Sequence, residues 1–160
     1  MMRRLFAFAA IVLVQLGVAT AQAQTFEKKA YNYSEWAKGR FSEAVTVTGP
    51  GKMIFLAGVG AENENGQAGD ILHKGDVVEQ CKYALEKIKK TLEKHGAGLG
   101  DVVKMVTYLT DIRASADVGK CRQDAFGTIP LPAHTLLNIS QLAWPGMLIE
   151  IDVTAIAPLK

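Results

Sequence analysis

From residue 147 to residue 157 apolar side chains take every second position: Met147, Ile149, Ile151, Val153 and Ala155 share one side of an extended chain, and Leu148, Glu150, Asp152 and Thr154 share the other. An alternation this long fits a β-strand with one face in a core, so the fold must contain a sheet covered on that face. It also sends Glu150 and Asp152 off the core face together. A second apolar run, residues 133–140, precedes it across the connection 141–146, which holds Pro145-Gly146. That spacing predicts that the two strands pair as a hairpin.

The cover comes from two helical segments. Asp76 suits an N-cap, with Glu79 three residues on, and Val77, Cys81, Ala84, Leu85, Ile88 and Leu92 then form an apolar stripe that Gly96 ends. The lysines between them belong to a solvated face. A shorter helix is expected over residues 115–126, ended by Gly127, with Val118, Cys121 and Ala125 inward. Between the helices, Asp101 opens a strand over residues 102–110. Upstream, residues 46–48 and 53–58 flank the turn Gly49-Pro50-Gly51-Lys52 and read as another β-hairpin. Residues 25–39, with Tyr31, Tyr33 and Trp36, show no period and read as an irregular lead-in. The order β-β-α-β-α-β-β predicts an α+β sandwich, one mixed sheet with two helices on one face. Gly96-Ala97-Gly98-Leu99-Gly100 follows a helix and precedes a strand, the reverse of what a phosphate loop requires. No His-x-His, His-Glu-x-x-His or Cys-x-x-Cys spacing occurs, so no metal site is expected.

Arg3 and Arg4 precede an apolar run from Leu5 to about Ala19, followed by Ala-x-Ala spacings at Ala19/Ala21 and Ala21/Ala23. These features predict a secretory signal peptide over residues 1–23, then the lead-in 24–39 and one domain over 40–160. The apolar run is shorter than the roughly twenty residues that span a bilayer, so a cleaved leader is favoured over an anchor, with no membrane attachment afterwards and a periplasmic or secreted product. Cleavage takes the 18 Lys and Arg to 16, equal to the 16 Asp and Glu, and so argues against a nucleic-acid partner. Export also leaves two states open for Cys81 and Cys121, a disulfide or a pair of buried free thiols.

Pro132-Ala133-His134-Thr135, followed about a dozen residues later by Pro145-Gly146 and the stretch Leu148-Ile149-Glu150-Ile151-Asp152, then Ala155-Ile156-Ala157, resembles the C-terminal signature of the RidA (YjgF) family. Arg40-Phe41-Ser42-Glu43-Ala44 and Ala57-Gly58-Val59 resemble its N-terminal segments, and the resemblance covers about residues 40–157. It implies a chorismate-mutase-like fold, a homotrimer with ligand clefts between subunits, no cofactor, and hydrolysis of enamines or imines such as 2-aminoacrylate to a keto acid and ammonia. It further implies that Glu150 orients the water and that Phe41, Gly58, Val59, Tyr108, Thr135 and Leu136 contact a small ligand, in the active members a carboxylate.

Active members read Pro-Ala-Arg where this chain has Pro132-Ala133-His134. An arginine fork holds a carboxylate bidentately at any working pH, whereas an ordinary histidine is mostly neutral at pH 7. Losing that contact should weaken carboxylate binding about ten- to a hundredfold. His134 is then a plain strand residue packed beside Leu136, a hydrogen-bonding pocket residue for another ligand, or a general base. Glu150 serves a cleft or an interface salt bridge. Three functions follow for comparison: a deaminase-type hydrolase of altered specificity, a protein that captures a metabolite without turnover, and, disfavoured by the neutral charge, a ribonuclease.

Overall fold

A computed structural model describes residues 24–159; the expected signal peptide lies outside them. The elements run β1 (Glu27–Tyr31), β2 (Ala44–Thr48), β3 (Gly51–Phe55), α1 (Val77–Lys94), β4 (Val102–Leu109), α2 (Ser115–Phe126), β5 (Ala133–Asn138) and β6 (Ile149–Pro158). Four strands form a mixed sheet in the order β3-β6-β4-β5, parallel only between β4 and β5, and β1 and β2 form a separate antiparallel pair. Both helices pack on one face of the mixed sheet, as the α+β reading expects.

Neither expected hairpin forms. The chain leaves β4 through α2 and returns as β5 parallel to it, so residues 133–138 and 149–158 sit on opposite edges of β4. The connection straddles the end of β4: Ile139 N–H donates to the Leu109 carbonyl at 2.8 Å, and Thr110 N–H donates to the Leu148 carbonyl at 3.2 Å. β6 is thus paired on both sides, and its alternation reflects the two faces of the sheet, one covered by the helices and one open. At the other end β2 pairs with β1 and β3 pairs with β6. Residues 27–31 are therefore a strand and not part of an irregular lead-in. Their signal was hidden because all but one of the five positions are exposed, so no apolar alternation is required of them.

The core lies between helices and sheet. Ile149, Ile151, Val153 and Ala155 of β6 and Met105 and Leu109 of β4 face Cys81, Leu85, Ile88 and Leu92 of α1. Asp76 caps α1, its carboxylate accepting from the Val78 and Glu79 N–H groups. At the other end Gly96 has a φ of 70°, while Gly96 N–H donates to the Glu93 carbonyl and Ala97 N–H to that of Leu92. That is the left-handed glycine stop expected of this sequence. Fully buried Gln80 ties α1 to the start of β6: its side chain donates to the Gly146 carbonyl and accepts from Leu148 N–H, both at 2.8 Å.

Between the helices Cys81 and Cys121 form a disulfide with Cα atoms 6.6 Å apart. The inward face of α2 is shifted from the expected one: Val118, Cys121, Arg122 and Phe126 are buried, whereas Ala125 is exposed. Phe126 claims the inward direction at the end of the helix, and Ala125, one residue earlier, is turned about 100° away from it.

Candidate functional site

The strand register divides the candidate residues between the two faces of the sheet. His134 and Leu136 stand opposite Met105 and Thr107, hence on the helix-covered side. Ser42 N–H donates to the Pro132 carbonyl at 3.0 Å and its hydroxyl to that of Leu131 at 2.5 Å, which brings the segment carrying Phe41 against the start of β5. Phe41 meets Trp36 edge-on, ring centroids 5.3 Å apart. A cleft of about 490 Å³ opens here, with Trp36, Phe41, Val118, Arg122, His134 and Leu136 among its walls.

Within this cleft the His134 Nε2 lies 3.0 Å from the hydroxyl of Thr107, a residue only 1% exposed. Burial, reinforced by the cations of Arg122 and Lys104, pushes the imidazole down to about 3. It is neutral at any physiological pH, and so weakly basic that it is poorly suited to general-base work near neutrality. Arg122 is the charged group on this side. It is 7% exposed, a guanidinium nitrogen donates to the Arg40 carbonyl, and burial lowers its pKa to about 10.

The second set of candidates sits elsewhere. Val59 and Ile151 exchange backbone hydrogen bonds of 3.0 Å in both directions, laying residues 58–59 along β6. A Cβ on Gly58 would fall 1.9 Å from the Glu150 Oε1, so a larger residue fits here only if the end of the Glu150 side chain moves. Burial raises the Glu150 carboxyl above its ordinary value, with smaller contributions from Glu62 and Asp152. Opposite Glu150 in the register is Tyr108, whose hydroxyl donates to Asp152 at 3.0 Å. Thr135 is on this same open face but at β5, accepting from the Lys104 ammonium at 2.6 Å.

One chain therefore brings together Phe41, His134 and Leu136 at the cleft beside α2, and Gly58, Glu150 and Tyr108 on the open face, while Val59, opposite Ile151, turns back to the helix-covered core. It does not join the two sets. Sequence reasoning placed Asp152 beside Glu150 on the open face but missed Arg122 and Glu62 as members of these groups. Arg122 had a signal: it stands four residues after Val118 and four before Phe126, on the inward stripe of α2.

The open face is also where exposed apolar side chains gather. Phe55 is 71% exposed, Met53 55% and Leu137 42%. Register puts Met53 and Phe55 opposite Ile156 and Thr154, on the side facing away from the helices.

A family model described as Endoribonuclease L-PSP matches residues 33–157. A RutC family protein of Pyrococcus abyssi is 36% identical over 118 residues, covering 73% of this chain and 86% of the relative. The mouse protein named 2-iminobutanoate/2-iminopropanoate deaminase is 31% identical over 121 residues, 75% of this chain and 83% of its own. A crystal structure of a conserved Rid family protein from Yersinia pestis superposes with a TM-score of 0.66 at 26% identity, over 84% of this chain and 98% of that one.

Proposed function

The chain belongs to the Endoribonuclease L-PSP family, into which its RidA-like (YjgF-like) motifs fall, and we propose that it is an exported member with an intersubunit small-molecule cleft that has diverged from enamine and imine deamination. The observation that carries this reading is His134. At the position where the resemblance implies a permanent cation, the chain has a buried imidazole kept neutral and hydrogen-bonded to Thr107. Such a group offers a carboxylate at most one neutral N–H.

Deamination of 2-aminoacrylate requires water to add across the C=N bond of the imine form, and ammonia to leave as the carbonyl forms. Glu150 is suited to orient that water, its raised pKa giving it basicity above an ordinary carboxylate. It lies on the face opposite His134, so a site using both residues needs a second copy. The exposed apolar side chains beside Glu150 support a homotrimer assembled through the open face.

Export rests on the leader sequence. Intact mass of the fractionated protein, starting at Gln22 or Gln24, tests it; a full-length cytoplasmic species would refute it. Capture of a metabolite without turnover is the second reading, favoured by the same neutral imidazole. The name 2-iminobutanoate/2-iminopropanoate deaminase on the mouse relative makes imine hydrolysis the reference assay. Ammonia release from 2-aminoacrylate by the mature protein should stay close to the uncatalysed rate, and rapid turnover would overturn the reading.

A further inference from the structure

Resting on the small-molecule cleft proposed above, we propose that the cleft between α2 and β5 binds a carboxylate attached to an apolar body, with Arg122 of α2 as its anchor. Two features of this side chain, and then the lining of the cleft, point there. Arg122 is 7% exposed and, among the described residues, no carboxylate forms an ion pair with it. Its Nε is shielded from water and has no acceptor. A buried guanidinium left in that state is costly, and an anion that accepts from it relieves the cost.

The lining chemistry agrees. Arg40, Lys120 and Arg122 line the cleft, and neither Asp nor Glu does. Lys120 is occupied by Asp124 at 2.9 Å on the exposed side of α2, which leaves Arg122 as the buried cation at the cleft. His134 adds a neutral, uncharged neighbour, so an anion bound to Arg122 meets no competing acid. Ser115 and Gln123 also line the cleft, the Gln123 amide donating to the Gly39 carbonyl, and Val118, Leu136 and the crossed rings of Trp36 and Phe41 supply apolar wall. A bare inorganic anion would leave those walls unused. A carboxylate whose other end is an aromatic ring or branched alkyl group satisfies both halves, the fork taking the two oxygens and the rings taking the body.

Phenylacetate and its neutral counterpart phenylacetamide are the probes. By titration calorimetry on the mature wild-type protein, phenylacetate should bind at least tenfold more tightly than phenylacetamide; equal affinities, or binding of neither, overturn the proposal. Arg122→Gln should abolish the preference and Arg122→Lys should keep part of it. Should Arg122→Gln fail to fold, because Arg122 also holds the Arg40 carbonyl, nitrogen-15 NMR of the wild type decides: the Arg122 Nε–H resonance should shift with phenylacetate and not with phenylacetamide. A resonance unmoved by phenylacetate rejects the anchor. No turnover is read in these measurements, so fast imine hydrolysis would refute the proposed function without touching this site. Slow hydrolysis with no phenylacetate binding would do the reverse.

Discussion

Among single residues, His134 and Glu150 carry the chemistry proposed for this chain. The unfolded chain protonates this histidine below about pH 6.5, whereas the folded chain resists protonation down to about 3. The unfolded state therefore binds the extra proton, and the sign follows: stability is complete above about pH 6.5 and falls with pH towards 3, by up to about 1.4 kcal/mol per unit. His134→Gln should flatten the urea midpoint across pH 6 to 4 relative to wild type; parallel pH profiles would show that the ring is freely protonated in the fold. Gly58 offers a separate test. Alanine there collides with the end of the Glu150 side chain, which can swing aside, so Gly58→Ala should cost no more than about 1 kcal/mol in denaturant titrations while displacing the carboxylate. Any imine hydrolysis above the uncatalysed rate should fall to the level of Glu150→Gln, and a measurable excess left unchanged by both substitutions would remove Glu150 from the chemistry.

At the scale of elements, the bridge between α1 and α2 closes a separation of 40 residues, which predicts about 3–4 kcal/mol of stabilisation through the unfolded state. Reduction should lower the melting temperature on the order of 10 °C, and an unchanged melt would mean that the bridge contributes nothing. Much of this level was legible in the sequence. The Asp76 cap, the stripe from Val77 to Leu92 and the Gly96 stop fixed α1, because each signal is local and each acts on the helix backbone itself. Strand pairing was not legible: proximity in sequence suggested two hairpins, and in both cases another strand took the pairing edge. The site was half legible for the same reason. Alternation in β6 placed Glu150 and Asp152 on one face, but only the parallel register of β5 with β4 reveals that His134 points to the other. Arg122 was overlooked because a charge on a helix next to a cysteine reads as surface, and its burial depends on how α2 is turned.

At the scale of the whole molecule, a sheet covered on one side leaves Met53, Phe55 and Leu137 to water on the other, an arrangement that association relieves. Light scattering on the mature protein should give three times the monomer mass, and Phe55→Glu should shift it to monomer by burying a charge in the interface; a wild-type monomer at micromolar concentration would contradict the trimer. The cation proposed to hold a carboxylate is on α2, whereas the resemblance implies one on β5, and the proposed divergence from arginine-dependent deamination rests on that difference. A single His134→Arg would set two buried guanidinium groups side by side, so the direct comparison is the paired exchange His134→Arg with Arg122→Gln, which moves one charge and adds none. Ammonia release from 2-aminoacrylate, followed for the exchange and the wild type under the same conditions, is the measurement. The exchange should release ammonia at least tenfold faster than the wild type; a wild type that matches or exceeds it would show that the position of the cation does not limit deamination.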